Sequence, residues 1–179
     1  MRFVFPCKEY EQKAIDFIRE FHDYSSPING TGGLDSYLET GSYDDWLAKI
    51  MRYVDIANMP EGKVPEFTYF YVREEDVKII GMISVRSALN DFLRKEGGNI
   101  GYCVRPAERG KGYGTQMLRE ALAFCPMIGL REVIITCDKI NIASAGVIKN
   151  CGGILEDEFY SETFKEIVQR YLIKICQKG

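Results

Sequence analysis

Three glycines at alternate positions, Gly110, Gly112 and Gly114, separate an extended run at 99–105 from a helical one, and no other feature constrains the chain as strongly. Alternate glycines destabilise the interior of both helix and strand, so the chain has to turn there. Beyond them Met117, Leu118, Ala121, Leu122 and Cys125 recur at the spacing of one helix face, and Pro126 comes where that helix should stop. The segment therefore reads strand, turn, helix. The first N–H groups of a helix lack intrahelical partners, and with the helix dipole they form a site for anions. Without Cβ atoms the turn can approach a phosphate closely and adopt unusual φ values, and Arg109 and Lys111 add positive charge.

The remaining chain arranges itself around this unit. Residues 2–5 read as a short strand. Over 8–23 the residues Tyr10, Ala14, Phe17, Ile18 and Phe21 share a helix face. Residues 24–42, rich in Ser, Gly, Asn, Asp and Pro, read as a long loop. Trp46, Leu47, Ile50, Met51 and Val54 mark a second helix that ends before Pro60. From 66 onward the pattern is β-rich: 67–73 and 77–86 flank Glu74-Glu75-Asp76 as a hairpin, and a helical turn at 89–95 leads through Gly97-Gly98 into strand 99–105. The continuous apolar run 133–137 predicts a strand at a sheet's centre. A short helix at 141–150 stops at Gly152-Gly153, and 154–160 with 167–176 predict a closing hairpin. No repeat or linker divides the chain, so residues 1–179 are expected to form one mixed α/β domain.

Composition closes several functional classes. With 46% hydrophobic and 12% aromatic residues the chain has material for a core and does not read as disordered. Its net charge is −3 and no stretch concentrates Lys and Arg, which argues against nucleic acid as a partner. No apolar run approaches the roughly 20 residues of a membrane span, and residues 1–8 lack the core of a signal peptide, so a cytoplasmic protein without membrane association is expected. The six cysteines (Cys7, Cys103, Cys125, Cys137, Cys151 and Cys176) are scattered without metal-type spacing and read as reduced thiols. His22 is the single histidine, which leaves no basis for a paired-His metal site or a His-based triad, and no metal is expected. It follows an apolar stripe and reads as a surface or helix-end residue.

Three phosphate loops compete for the glycine pattern. The nucleotide-triphosphate loop Gly-x-x-x-x-Gly-Lys-Ser/Thr does not fit the spacing, and the dinucleotide fingerprint Gly-x-Gly-x-x-Gly requires a first strand and a different interval. The pattern Arg/Gln-x-x-Gly-x-Gly/Ala fits through Arg109, Gly112 and Gly114, and with Val104-Arg105-Pro106 before it resembles the acetyl-CoA loop of the GNAT superfamily of N-acetyltransferases. Asn141, Ser144 and Gly152-Gly153 are similar to that family's Asn-x-x-Ser helix and its glycine end. The stretch 30–35, with Arg86, Leu89-Asn90 and 97–102, further resembles a bacterial subgroup of predicted acetyltransferases. The likeness covers 66–175 by element order and 101–153 by motif.

The resemblance implies a mixed, mostly antiparallel central sheet with flanking helices, in which strands 99–105 and 133–137 are parallel neighbours that splay apart around acetyl-CoA. The backbone of Cys103 and Val104 would pair with the pantetheine arm. Arg109, Gly110, Lys111, Gly112, Tyr113, Gly114 and Thr115 would hold the pyrophosphate, and Asn141 and Ser144 would approach the pantetheine. Each has a plainer reading. Asn141 is a good N-cap, Ser144 a first-turn helix residue, and Cys103 and Cys137 are core thiols. Tyr69 and Tyr71 read as core aromatics.

The implied activity is acetyl transfer from acetyl-CoA to a primary amine of a small molecule or peptide by direct attack, with a homodimer left open. The catalytic residues do not follow. The family's Tyr seven residues beyond the Asn is here Ile148, and the Glu found in some members where the splayed strand begins is replaced by Gly97-Gly98-Asn99. Tyr102, Tyr160 and Tyr171 are the remaining candidates for a proton donor, and Asp35, Glu39, Asp44 and Asp45 for attracting a cationic amine. A non-catalytic acyl-CoA-binding sensor or regulatory module stands as the alternative.

Overall fold

Helix α1 (Glu11–Asp23) forms because Ala14, Phe17, Ile18 and Phe21 bury one face, and it follows a 3-10 turn at Lys8–Tyr10. The computed structural model describes residues 1–175, so Cys176, the expected end of the last strand, lies outside the described residues. The chain divides into two compact units. The first holds 1–84 and 102–114. In it β1 (Arg2–Val4) pairs antiparallel with β2 (Glu66–Arg73), Phe3 opposite Tyr71. Helix α3 (Tyr43–Val54) starts at Ser42, whose hydroxyl accepts the Asp45 N–H at 3.1 Å. Strands β3 (Lys78–Arg86) and β4 (Ile100–Val104) complete a sheet of order β1-β2-β3-β4. Phe17, Phe21, Tyr43, Trp46, Phe70, Met82 and Cys103 belong to one buried cluster.

The long loop expected at 24–42 contains a helix. Helix α2 (Leu34–Thr40) begins after Gly33 at φ +84°, and Leu34 is fully buried while Tyr37 and Leu38 pack partly on the same core. These three residues have helical spacing, but the flanking Gly, Ser and Asp obscure it, and only tertiary burial makes so short a helix worthwhile.

The second unit holds 85–101 and the described chain from 115. Helix α4 (Tyr113–Phe124) runs directly into a 3-10 turn at Cys125–Ile128, so Pro126 occupies an early turn position instead of simply ending the helix. Strand β5 (Glu132–Asp138), helix α5 (Ile142–Asn150), β6 (Ile154–Ser161) and β7 (Glu166–Lys174) follow. The three strands form an antiparallel sheet of order β5-β7-β6, with Ile135 opposite Tyr171 and Phe159 opposite Val168. The strand expected at a sheet's centre is therefore at the edge of this one. Its outer edge is nonetheless met at Ile134: Asn99 donates its N–H to the Ile134 carbonyl at 2.7 Å, and its side-chain oxygen accepts the Ile134 N–H at 2.8 Å. Gly98 lies against the same point, and that closeness depends on its lacking a side chain. His22 is exposed in the last turn of α1. Among the described residues no helix is long and apolar enough to cross a membrane.

Candidate functional site

The loop that follows β4 is tied down at its start. Arg105 donates its backbone N–H to the Ile80 carbonyl at 2.8 Å and its Nε–H to the Ile79 carbonyl at 2.7 Å, and its guanidinium lies over the Phe17 ring. Its other arm meets Glu20 of α1 at 2.6 Å, while the second Glu20 oxygen accepts the Ala107 N–H at 2.9 Å. Burial pushes the Glu20 carboxyl up, but Ala107 and Arg105 outweigh it and hold the pKa below the ordinary value. Pro106 then opens a 3-10 turn, Pro106–Glu108.

Gly110 and Gly112 adopt φ of +78° and +82°, and a Cβ built on either would meet nothing within 4 Å. Their conformation is one L side chains disfavour, and the space where a side chain would stand is open. Helix α4 begins directly beyond, at Tyr113, with the N–H groups of its first turn lacking intrahelical partners. An open backbone concavity running into a helix N-terminus is suited to a pyrophosphate.

The charge beside the loop is organised by a residue that the sequence reading passed over. Glu108, 4% exposed, accepts from Lys111 at 2.8 Å, Lys78 at 3.0 Å and Arg73 at 3.2 Å. Lys111, acting against the effect of burial, and then Lys78 and Arg73 hold its carboxyl down to about 2. Arg73 also grips Asp76 through Nε at 3.0 Å and a terminal nitrogen at 2.7 Å. The Glu108-x-x-Lys111 interval is a local signal for one of these pairs, whereas Arg73 and Lys78 lie some thirty residues upstream and carry none. Arg109 turns away from this group: its Nε–H goes to the Val104 carbonyl at 3.1 Å, a terminal nitrogen to Ser26 Oγ at 2.8 Å, and its guanidinium over Phe21.

The other expected site residues are placed as follows. Cys103 is buried with its thiol pushed up to about 12 by desolvation, so its side chain belongs to the core. Val104 and Tyr113 are partly exposed and Gly114 is buried. In the second unit, the Thr115 carbonyl takes the Cys151 thiol at 3.6 Å, and Asn141 caps α5 by accepting the Ser144 N–H at 3.0 Å. Burial pushes the Cys137 thiol up to about 11, opposed by a hydrogen bond with Ser144. Ile148 is fully buried. Tyr171 is buried too and donates to the Gln169 side chain at 2.7 Å, whereas Tyr160 is exposed on β6 and Tyr102 is partly exposed on β4. Of the acidic candidates, Asp35 accepts from Thr31, Asp44 pairs with Lys8 at 2.7 Å, and Asp45 accepts the Ser42 hydroxyl; Glu39 is exposed.

The family model for the acetyltransferase (GNAT) domain matches residues 28–154, more than half of the chain. No curated protein sequence matches. Solved structures do. A ribosomal-protein-S5-alanine acetyltransferase from Vibrio fischeri superposes with a TM-score of 0.73 at 14% identity, covering 99% of this chain and 94% of that one. A microcin C7 self-immunity acetyltransferase, in complex with acetyl-CoA and AMP, gives a TM-score of 0.67 at 19% identity over 97% and 91%. A spermidine N-acetyltransferase from Vibrio cholerae gives 0.59 at 14% over 97% and 93%. At these identities the likeness is one of fold.

Proposed function

The chain belongs to the acetyltransferase (GNAT) family, and on that premise we propose that it transfers the acetyl group of acetyl-CoA to a primary amine by direct attack, as a single domain over residues 1–179. The observation that carries this reading is the open loop at Gly110 and Gly112, in left-handed conformation and running into α4. Main-chain N–H groups from Gly110 to Thr115 hold the pyrophosphate, and the β4 backbone at Cys103 and Val104 offers an edge for the pantetheine amides. The residues present fit such a ligand, because nothing fills the space that the missing Cβ atoms leave.

In the reaction the amine nitrogen bonds to the acetyl carbonyl carbon, the carbon–sulfur bond breaks, the amine loses a proton and the thiolate gains one. A lysine-like amine is neutral in only about one molecule in a few thousand at pH 7, whereas an α-amino group with a pKa near 8 is neutral about a tenth of the time and needs less help. A thiol with a pKa of about 8.5 is protonated by water at little cost, so a dedicated acid is not required. Ile148 cannot donate a proton, and Tyr171 already spends its hydroxyl on Gln169.

The test is acetyl-CoA-dependent thiol release with polyamines, amino acids, aminoglycosides and peptide N-termini as acceptors. Release stimulated by at least one amine class is the expected result. Binding of CoA without stimulation by any amine would favour the non-catalytic acyl-CoA module, and absence of CoA binding would overturn the reading. Replacing Tyr102, Tyr160 and Tyr171 by Phe in turn should leave kcat within a few-fold. A loss of about 10²-fold or more from one of them, with CoA affinity intact, would identify a general acid and refute the water-assisted route.

A further inference from the structure

Of the four carboxylates that could attract a cationic amine, three need no ligand to account for them. Asp44 pairs with Lys8, Asp45 takes the Ser42 hydroxyl at the start of α3, and Glu39 stands in solvent. Asp35 differs. It is half-buried, its Oδ1 accepts the Thr31 hydroxyl at 2.5 Å, and among the described residues no cation pairs with it. Thr31 is itself buried, and the glycines on either side of it are pinned. The Gly30 carbonyl accepts from Ser84 at 3.4 Å, and the Gly32 carbonyl takes Trp46 Nε1 at 3.2 Å and Lys49 Nζ at 2.7 Å. Lys49 also meets Glu66 at 3.5 Å, and Arg109 is committed to Val104 and Ser26, so both are spent away from Asp35. The segment reaches β4 at Cys103: burial pushes that thiol up, the Asn29 and Met82 backbone opposes the push, and the Asp35 charge adds to it. A half-buried carboxylate gives up hydration that one hydroxyl replaces only in part, and a cation set against it recovers the cost.

We propose that Asp35 binds the acceptor, and that the acceptor is an amine carrying a second positive charge. The proposal rests on the acetyl-transfer reading above, which lays the cofactor along the same strand. The nitrogen held at Asp35 is not the one that reacts. A neighbouring carboxylate favours the protonated form of an amine, and an ammonium has no lone pair to offer the acetyl carbon. Asp35 therefore suits the nitrogen that stays charged, while the other, neutral, attacks. Thr31 is the positioning residue: its hydroxyl occupies Oδ1 and leaves Oδ2 for an N–H donor of the ligand.

Steady-state thiol release by the full chain with acetyl-CoA tests this, with α,ω-diaminoalkanes and 1-aminoalkanes of matched length as acceptors. At low ionic strength the wild type should prefer the diamine of best length by about tenfold or more in kcat/KM, expressed mainly in KM, and added salt should erode the preference. Asp35→Asn keeps the shape and the Thr31 contact but not the charge. It should erase the preference while changing kcat/KM for the monoamines, and the affinity for CoA, by less than about twofold. Asp35→Glu should retain part of the preference. No diamine preference in the wild type, or one that survives Asp35→Asn, would overturn the proposal and leave the acetyl-transfer reading standing. If no amine of any kind stimulates release, both fall together. The wild-type comparison needs no variant, so it decides even if Asp35→Asn does not fold.

Discussion

Replacing Gly112 by Val separates what the glycine does for the fold from what it does for the ligand. Gly112 sits at φ +82°, where an L residue costs about 1–2 kcal/mol, toward the upper end for a β-branched side chain. No atom lies within 4 Å of the added Cβ, so no steric term is added in the free protein. For a chain of this size each kcal/mol moves Tm by about 2–4 °C, which puts the expected loss at about 3–8 °C. The ligand is affected differently. The new methyl groups occupy the space that a phosphate must enter to reach the loop amides, and affinity for CoA should fall at least about tenfold, or 1.4 kcal/mol. Gly129 provides the control: it has φ +84°, its Cβ also meets nothing within 4 Å, and it lies outside the loop. Gly129→Val should suffer a similar loss of Tm and keep its CoA affinity. Thermal melts with and without CoA, together with titration calorimetry, read both quantities. Undiminished affinity in folded Gly112→Val, or equal losses of affinity in the two variants, would refute the assignment of this loop to the pyrophosphate.

Two further outcomes are expected. Gly98→Ala should cost about 3 kcal/mol or more in denaturant unfolding, because φ +66° with ψ −178° is almost exclusive to glycine and the new Cβ would stand 2.5 Å from the Ile134 carbonyl oxygen; a loss below about 1 kcal/mol would show that the contact relaxes freely. Glu108, with its carboxyl held down to about 2 from an ordinary 4.5, stabilises the fold above about pH 4.5, and that contribution drains away as the pH falls from there toward 2. Glu108→Gln should therefore be less stable at pH 7 and lose stability less steeply over that acid window, and an unchanged slope would contradict the role given to its three cations.

What the sequence determined by itself was local. Apolar spacing located α1, α3, α4 and most strands to within a few residues, because helix and strand periodicities are written into consecutive side chains. The loop at 109–115 was legible for the same reason: glycine reports on its own backbone, and the turn, the following helix and the likeness to an acetyl-CoA loop all lie within fifteen residues. Asn141 announced its cap through its position ahead of a helix. The rest depended on partners far apart in the chain. Helix α2 exists because Leu34 finds a core built from α1, α3 and β2, so its seven residues looked like loop. The run 133–137 reads as a central strand, yet it is an edge strand of its sheet whose outer side meets, at Ile134, Asn99, a residue more than thirty positions earlier. Gly97-Gly98 reads only as the lead into strand 99–105, and nothing local shows that Ile134 is brought against position 98. Most of all, Glu108 carries no signal in the sequence beyond its interval to Lys111. Only folding brings Arg73, Lys78 and Lys111 to its carboxylate, and it also turns Arg109, which sequence alone had pointed at the ligand, back onto Val104 and Ser26. Backbone conformation is encoded by neighbours in sequence, whereas charge balance is a property of neighbours in space.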